Sequence, residues 1–507
     1  MAADRFKEQF DQIQASMPEG VQLAVGDGES IYEKGHVIAR SYDLDEVIGR
    51  LRSVSQGRED QIRPADGDVR RRSDVYRIQV GDDSMEDVSS DWGVAPALEA
   101  LGRARNRTGQ PLATRNHVVH IANVNCCPND EPDPQALPVG VTPQNFVALT
   151  LPERVADAER ALNPPRNPMA PPPGQDGPVR VLVVDTGLVD GYASYPWLAD
   201  VTHPEGQTNR LEGDDGVLDL YAGHGTFIAS IIKAVAPHAA VRVDNGLVGK
   251  GALLEHHLGE RLLEVLGDDW PDIISLSAGT LTPSDDPTAA VDELKGLEGF
   301  MEQLMARRTL LVAAAGNNGN DKPFVPAAYA ALPKYANAVV SVGALRSDGT
   351  DGACFTSHGP WVRVYAPGER LLHAFTAIDS TPPEYVYQHS TYANCRHLDP
   401  YRQYECTCRF PRHTGLLSLD QGQPSSDADH TSFTGLARWS GTSFSTPIVV
   451  ASIVNYMQEN GLRDPREAAD ALIARNQGAG TVFDQKVAVI LPPGWQETST
   501  SAFSRAT

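Results

Sequence analysis

Basic charge is scarce in this 507-residue chain: 43 lysines and arginines face 66 aspartates and glutamates, a formal net charge of −23. That balance opposes binding to nucleic-acid phosphates or to an anionic lipid surface. Long apolar runs are missing too. The nearest, residues 227–235, is short and broken by Lys233, well under the ~18 residues of a membrane span. The first residues, Met1-Ala2-Ala3-Asp4-Arg5-Phe6-Lys7-Glu8, hold no apolar core of the kind a secretory leader needs. No nucleic-acid or membrane partner is expected, and the expected location is the cytoplasm. Six cysteines are too few for a disulfide scaffold. Cys126 and Cys127 are adjacent; Cys395, Cys406 and Cys408 lie near His397 and His413. The paired Cys-x-x-Cys spacing usual for zinc is missing there. Reduced or structural thiols are the first expectation, a disulfide the second and a metal site the third.

What is present is ordinary for a folded globular chain, with 41% apolar and 21% charged residues. The length exceeds one compact core, so a large and a smaller domain are expected. Phe6, Phe10, Ile13 and Met17 share one helical face. Residues 18–74 are polar and mixed, with strand-like pieces at 21–25 and 30–32 and a charged loop over 63–74. Residues 75–80 alternate like a half-buried strand, 94–105 carry helical spacing and 117–121 return as a strand. That order predicts a smaller N-terminal α/β domain within residues 1–162. Seven prolines across 163–178 predict an extended linker.

Beyond the linker, β-branched apolar runs at 179–184, 241–243, 273–276, 310–314 and 339–342 read as strands covered on both faces. Helical patterns fall between them at 225–234, 253–266 and 289–306. The fold class expected over 179–494 is α/β, a mostly parallel central sheet with helices on both faces. Residues 376–435 read as a long insertion suited to a lid or binding loop, and 495–507 as a disordered tail.

Four motifs carry the chemistry. They are Val184-Asp185-Thr186-Gly187, His224-Gly225-Thr226, Ala315-Gly316-Asn317-Asn318-Gly319 and Gly441-Thr442-Ser443-Phe444-Ser445-Thr446-Pro447. Each alone reads as an ordinary turn or helix start. Asp185 and Asn317, however, each follow an apolar run, at the strand ends where such sheets gather active sites. His224 and Ser443 each open a helical segment. A serine hydroxyl needs a base to become a nucleophile, and His224 can serve. Asp185 can fix the imidazole's tautomer and orientation. Asn317, with the backbone N–H of Ser443, can donate to an oxyanion. The α/β-hydrolase pattern Gly-x-Ser-x-Gly, with serine first in chain order, does not fit.

On these motifs the chain resembles the subtilisin-like serine peptidases, the subtilases of peptidase family S8, over about residues 179–494. The resemblance implies a serine endopeptidase with catalytic Asp185, His224, Asn317 and Ser443; the long insertion and the extra domain suggest selected protein or peptide targets under regulation. An inactive binding protein on the same fold and an esterase are the alternatives. Ser277, Ala278 and Gly279 resemble the family's substrate-pairing strand; the same residues also read as an inner strand and turn. Phe227 stands where the family often has a second histidine. Residues 324–329 resemble the lining of the side-chain pocket, and a second register through Leu332 and Pro333 fits nearly as well. In the first register Phe324 would fill the pocket and favour a small side chain before the cleaved bond. No cofactor is expected: calcium is possible by family, but no calcium-loop motif is present. The N-terminal domain is expected to be a retained regulatory or target-recognition domain, binding the catalytic domain or a target. A removable pro-region or an unrelated module are its alternatives.

Overall fold

Ile273–Leu276 and Leu310–Ala314 are buried at every position, which requires cover on both faces of the sheet they form. They are central in a six-stranded parallel sheet. Its order is Ala240–Asp244, Arg180–Val184, Ile273–Leu276, Leu310–Ala314, Val339–Leu345 and Val364–Pro367. Helices His224–Val235 and Thr442–Asn460 pack on each other and against these strands, and Glu255–Leu266 packs against Glu298–Ala306. The computed structural model describes residues 10–492 except 12, 27–29, 56, 66–71, 82–92, 103, 122–131, 136–176, 205–207, 210–217, 220, 248–250, 347–348, 370, 379–383, 387–416, 419–422 and 425–429. The expected tail, nearly all of the linker, most of the insertion and five of the six cysteines lie outside the described residues. Cys354 is buried.

The N-terminal region builds a second, antiparallel sheet around Ile31–Arg40. This strand is flanked by Val75–Gln79 and Ala113–Ile121, with Leu23–Val25 and Arg63–Pro64 at the edges. Helices Leu44–Val54 and Val94–Leu101 pack on it, their Val47, Leu51, Ala97 and Leu101 clustering with Val37, Ala39 and Ile78. Ile13 is buried with Leu23, Ile31 and Val118, with Phe10 and Met17 beside it. The sheet does not stop there. Ala113–Ile121 also pairs with Ala252–Leu254 and Ala278–Leu281, strands of the larger region.

Several elements differ from the sequence expectation. The stretch read as polar and mixed holds a ten-residue strand and an eleven-residue helix. Burial of polar side chains hid most of the strand. Glu33, almost fully buried, accepts from Arg77 Nε at 3.1 Å and from Asn116 Nδ2 at 2.7 Å. The helix expected over 253–266 starts at Glu255, because Ala252–Leu254 is drawn into the sheet. The one expected over 289–306 is split into Pro287–Asp292, a 3-10 turn Lys295–Leu297 and Glu298–Ala306. The helix expected over 94–105 stops at Leu101, where Gly102 takes a φ of 58°.

Candidate active site

Asp185 leaves the carboxyl end of Arg180–Val184, and His224 opens its helix. The two meet directly: His224 Nδ1 lies 2.8 and 2.9 Å from the two carboxylate oxygens of Asp185. A carboxylate only accepts, so Nδ1 carries the hydrogen and Nε2 is left as the basic nitrogen. The flanking motif residues lock this pair. Thr186 N–H donates to Asp185 Oδ1 at 2.8 Å, Gly225 N–H to Thr186 Oγ1 at 3.3 Å and Val189 N–H to Thr226 Oγ1 at 2.9 Å. A Cβ at Gly225 would stand 2.3 Å from the Gly187 carbonyl oxygen, so the two motifs can touch only with glycine there. Around the imidazole stand the rings of Trp439 (5.2 Å, 85°), Tyr221 (6.0 Å, 84°) and Phe444 (5.2 Å, 48°). Phe227 packs behind them on Phe444 and Trp439.

Ser443 is the second residue of Thr442–Asn460, at the positive end of a nineteen-residue helix. Pro447 has no N–H to give to the Ser443 carbonyl one turn back. The Ser277 hydroxyl supplies that donor at 3.2 Å, tying the expected substrate strand to the nucleophile's backbone. Asn317 is clamped by its acceptor end. Its Oδ1 takes the Thr442 N–H and the Thr442 hydroxyl, both at 2.8 Å. The backbone N–H can only donate, so the amide is oriented with Nδ2 away from Thr442. The Gly316 N–H adds a bond to Thr442 Oγ1 at 3.2 Å. None of Asp185, His224, Asn317 and Ser443 is more than 1% exposed. Ser443 Oγ has no hydrogen-bond partner among the described residues, so its link to His224 is not made in this conformation. Such bonds often tighten only with substrate.

A strand of the N-terminal region pairs with Ala278 and Gly279, two of the three residues expected to pair with substrate. Ile121 is opposite Ala278 and His120 opposite Gly279; on the other edge His120, Val119 and Val118 are opposite Ala252, Leu253 and Leu254. Ser277 is outside this pairing and holds Ser443 instead. Ile121 reaches toward Tyr221: a Cβ at Gly251 would meet Tyr221 Cδ2 at 2.7 Å and Ile121 Cδ1 at 2.8 Å.

The cover is held by acids of the larger region. Glu255 accepts the N–H of His117 and of Gly296, both at 2.9 Å. Its complete burial pushes the carboxyl well above the usual range, against these two donors. Glu260 accepts the N–H of Arg72 and Ser73 at 2.9 and 2.8 Å, and Arg40 Nη2 donates to Glu302 at 2.9 Å. Burial lowers the pKa of the His117 imidazole, with Glu293 opposing. The sequence reading had not singled out Glu255 or Glu260. An acid in the early turns of a helix is too common a helix-start feature to signal a docking site. Among the described residues no three or more His, Cys, Asp or Glu side chains gather to hold a metal ion.

This constellation and the sheet beneath it define the class. The chain belongs to the subtilase family, whose profile matches residues 177–487, and its larger region has the subtilisin-like α/β fold. It is 28% identical over 212 residues to the thermophilic serine proteinase of Bacillus sp. (strain AK1), covering 39% of this chain and 45% of that one. It is 31% identical over 213 residues to subtilisin BL of Lederbergia lenta, covering 39% and 66%. The chain therefore spans less than two thirds of the length of these curated relatives. Among solved structures, the patellamide maturation protease PatA matches at 25% identity over 59% of this chain and 86% of that chain, with a TM-score of 0.36.

Proposed function

We propose that the chain is a serine endopeptidase whose own N-terminal domain restrains it. Ser443 Oγ attacks the scissile carbonyl while its proton passes to His224 Nε2. Asp185 holds the ring and stabilises the imidazolium. The oxyanion receives Asn317 Nδ2 and the Ser443 N–H. Collapse breaks the C–N bond, and the leaving amine takes the proton from His224. Water then hydrolyses the acyl ester by the same proton route and restores the serine. The observation that carries this reading is the Asp185–His224 bond combined with the Thr442 clamp on Asn317. A peptide substrate adds as a strand along Ala278 and Gly279. The N-terminal domain already occupies that edge, so cover and substrate compete. This supports action on selected proteins or peptides, with the domain retained as a regulator. Cytoplasmic residence goes with this reading, and cell fractionation tests it.

A fluorophosphonate probe is the direct test. Ser443 in the wild type is expected to be labelled, labelling to vanish in Ser443→Ala and to fall sharply in His224→Ala. Equal labelling of all three would refute the assignment. The same preparations report on the domain. Cleavage within residues 122–178 in the wild type alone would make it a removable pro-region, and an intact active chain would make it a retained regulator.

A further inference from the structure

We propose that Phe324 fills the space meant for the side chain preceding the cleaved bond, so that this peptidase accepts only glycine, alanine or serine there. The proposal rests on the peptidase reading above and narrows its substrate class. Phe324–Val325 pairs antiparallel with Ala278–Leu281, Leu281 opposite Phe324 and Thr280 opposite Val325. Phe324 is 1% exposed, and its ring is wedged between two glycines. A Cβ at Gly279 would meet Phe324 Cε1 at 2.4 Å and Cδ1 at 2.7 Å. A Cβ at Gly316 would meet Phe324 Cγ at 2.8 Å and both Cδ atoms at 3.1 Å. The ring thus lies directly on the backbone of both.

Those two backbones are the walls of the site. Gly279 is in the strand along which a peptide pairs, and Gly316 precedes the clamped Asn317. Both walls reach the nucleophile, through Ser277 to the Ser443 carbonyl and through Asn317 to Thr442. In the register of the cover strand, His120 is opposite Gly279 and Ile121 opposite Ala278. A substrate strand in that register presents the next residue opposite Ser277, beside Ser443. Side chains in an extended strand alternate, so that residue points to the same face as the missing Cβ of Gly279, which is where Phe324 lies. The His120 ring, on that face, is 6.4 Å from the Phe324 ring in an edge arrangement. A large side chain entering there would have to displace a buried aromatic ring held on both sides.

The test uses the full chain with two peptidyl diphenyl phosphonates differing only in the residue before phosphorus, alanine or phenylalanine. A plain fluorophosphonate is the reference. Wild type is expected to react with the alanine probe and hardly with the phenylalanine probe. In Phe324→Ala the ratio of the two rates is expected to shift toward phenylalanine by about 100-fold, the range a hydrophobic pocket can discriminate. Phe324→Leu, the milder variant, moves the ratio part of the way and serves if the alanine variant fails to fold. A wild type that prefers the phenylalanine probe, or a ratio untouched by folded Phe324 variants, overturns the proposal. Loss of the plain fluorophosphonate reaction in wild type would instead sink the peptidase reading itself.

Discussion

Alanine at Gly299 would set the helix Glu298–Ala306 against the cover that rests on it. The new Cβ would stand 2.5 Å from the Ser73 carbonyl oxygen and 3.2 Å from its carbon. Reaching a tolerable C···O separation of about 3.3 Å requires a shift of about 0.8 Å. Both neighbours of that contact are main chain, so no flexible side chain can yield. The segment that must move carries the Arg72 and Ser73 N–H groups held by Glu260 at 2.9 and 2.8 Å. Hydrogen bonds to a charged acceptor contribute about 1.5–3 kcal/mol each. Losing or stretching both weakens docking by about 2–4 kcal/mol, which multiplies the uncovered population by roughly 30 to 1000. The helix itself does not suffer, since alanine replaces glycine there with a gain of up to about 1 kcal/mol. The assay is the rate at which a fluorophosphonate labels Ser443, read beside thermal unfolding of the larger region. The expected result is faster labelling with unfolding unchanged or raised. Unchanged or slower labelling in a folded Gly299→Ala would refute the view that this docking face governs access to the serine.

Three further outcomes follow from the same geometry. Asn317→Ala is expected to lower kcat by about 100- to 1000-fold with KM little changed, measured on a fluorogenic peptide ending in alanine before the bond. Thr442→Val keeps the N–H but removes the hydroxyl from Asn317 Oδ1; its kcat is expected to fall by about 10-fold, the equivalent of one ordinary hydrogen bond. The third concerns His373, which is buried against the Ser230 hydroxyl at 3.2 Å and the edge of Phe227. Burial lowers its pKa from 6.5 to about 3. Between those values the unfolded chain binds more protons than the folded one. Its contribution is therefore complete above pH 6.5 and falls as the pH drops, by about 1.4 kcal/mol per unit. Urea unfolding at pH 7.5 and pH 5 is expected to lose about 2 kcal/mol more in wild type than in His373→Gln. Identical losses would remove His373 from the acid response.

The four motif residues were legible because the residues beside them in the chain are themselves constrained. Gly225 has to be glycine against the Gly187 carbonyl, Thr442 has to present both an N–H and a hydroxyl to Asn317, and Pro447 leaves a carbonyl that Ser277 serves. Each constraint bridges segments far apart in the chain but falls on a residue within four positions of a motif residue, and so leaves a recognisable string. Pairing partners leave none. Alternation marks 117–121 as a strand but does not say that Ile121 is opposite Ala278, because any strand edge offers the same row of donors and acceptors. The two pocket registers were open for the same reason; the proposal above takes the first, in which Phe324 is opposite Leu281. Of Ile31–Arg40 only the first two residues fall in a segment that reads as strand, because Glu33, His36 and Arg40 are buried, and polar letters in a sequence read as surface.

Asp133–Gln135 pairs with Leu436–Trp439, the strand that ends four residues before Ser443, while Ala113–Ile121 pairs with Ala278–Leu281, next to the Ser277 that bonds the Ser443 carbonyl. A single cut between Ile121 and Asp133 would therefore leave both of these described pairings in place while making the cover a separate molecule. A tethered segment acts at a fixed effective concentration, whereas a severed one obeys mass action. A nicked preparation would gain activity on dilution and lose it on concentration; the intact chain would be indifferent to both.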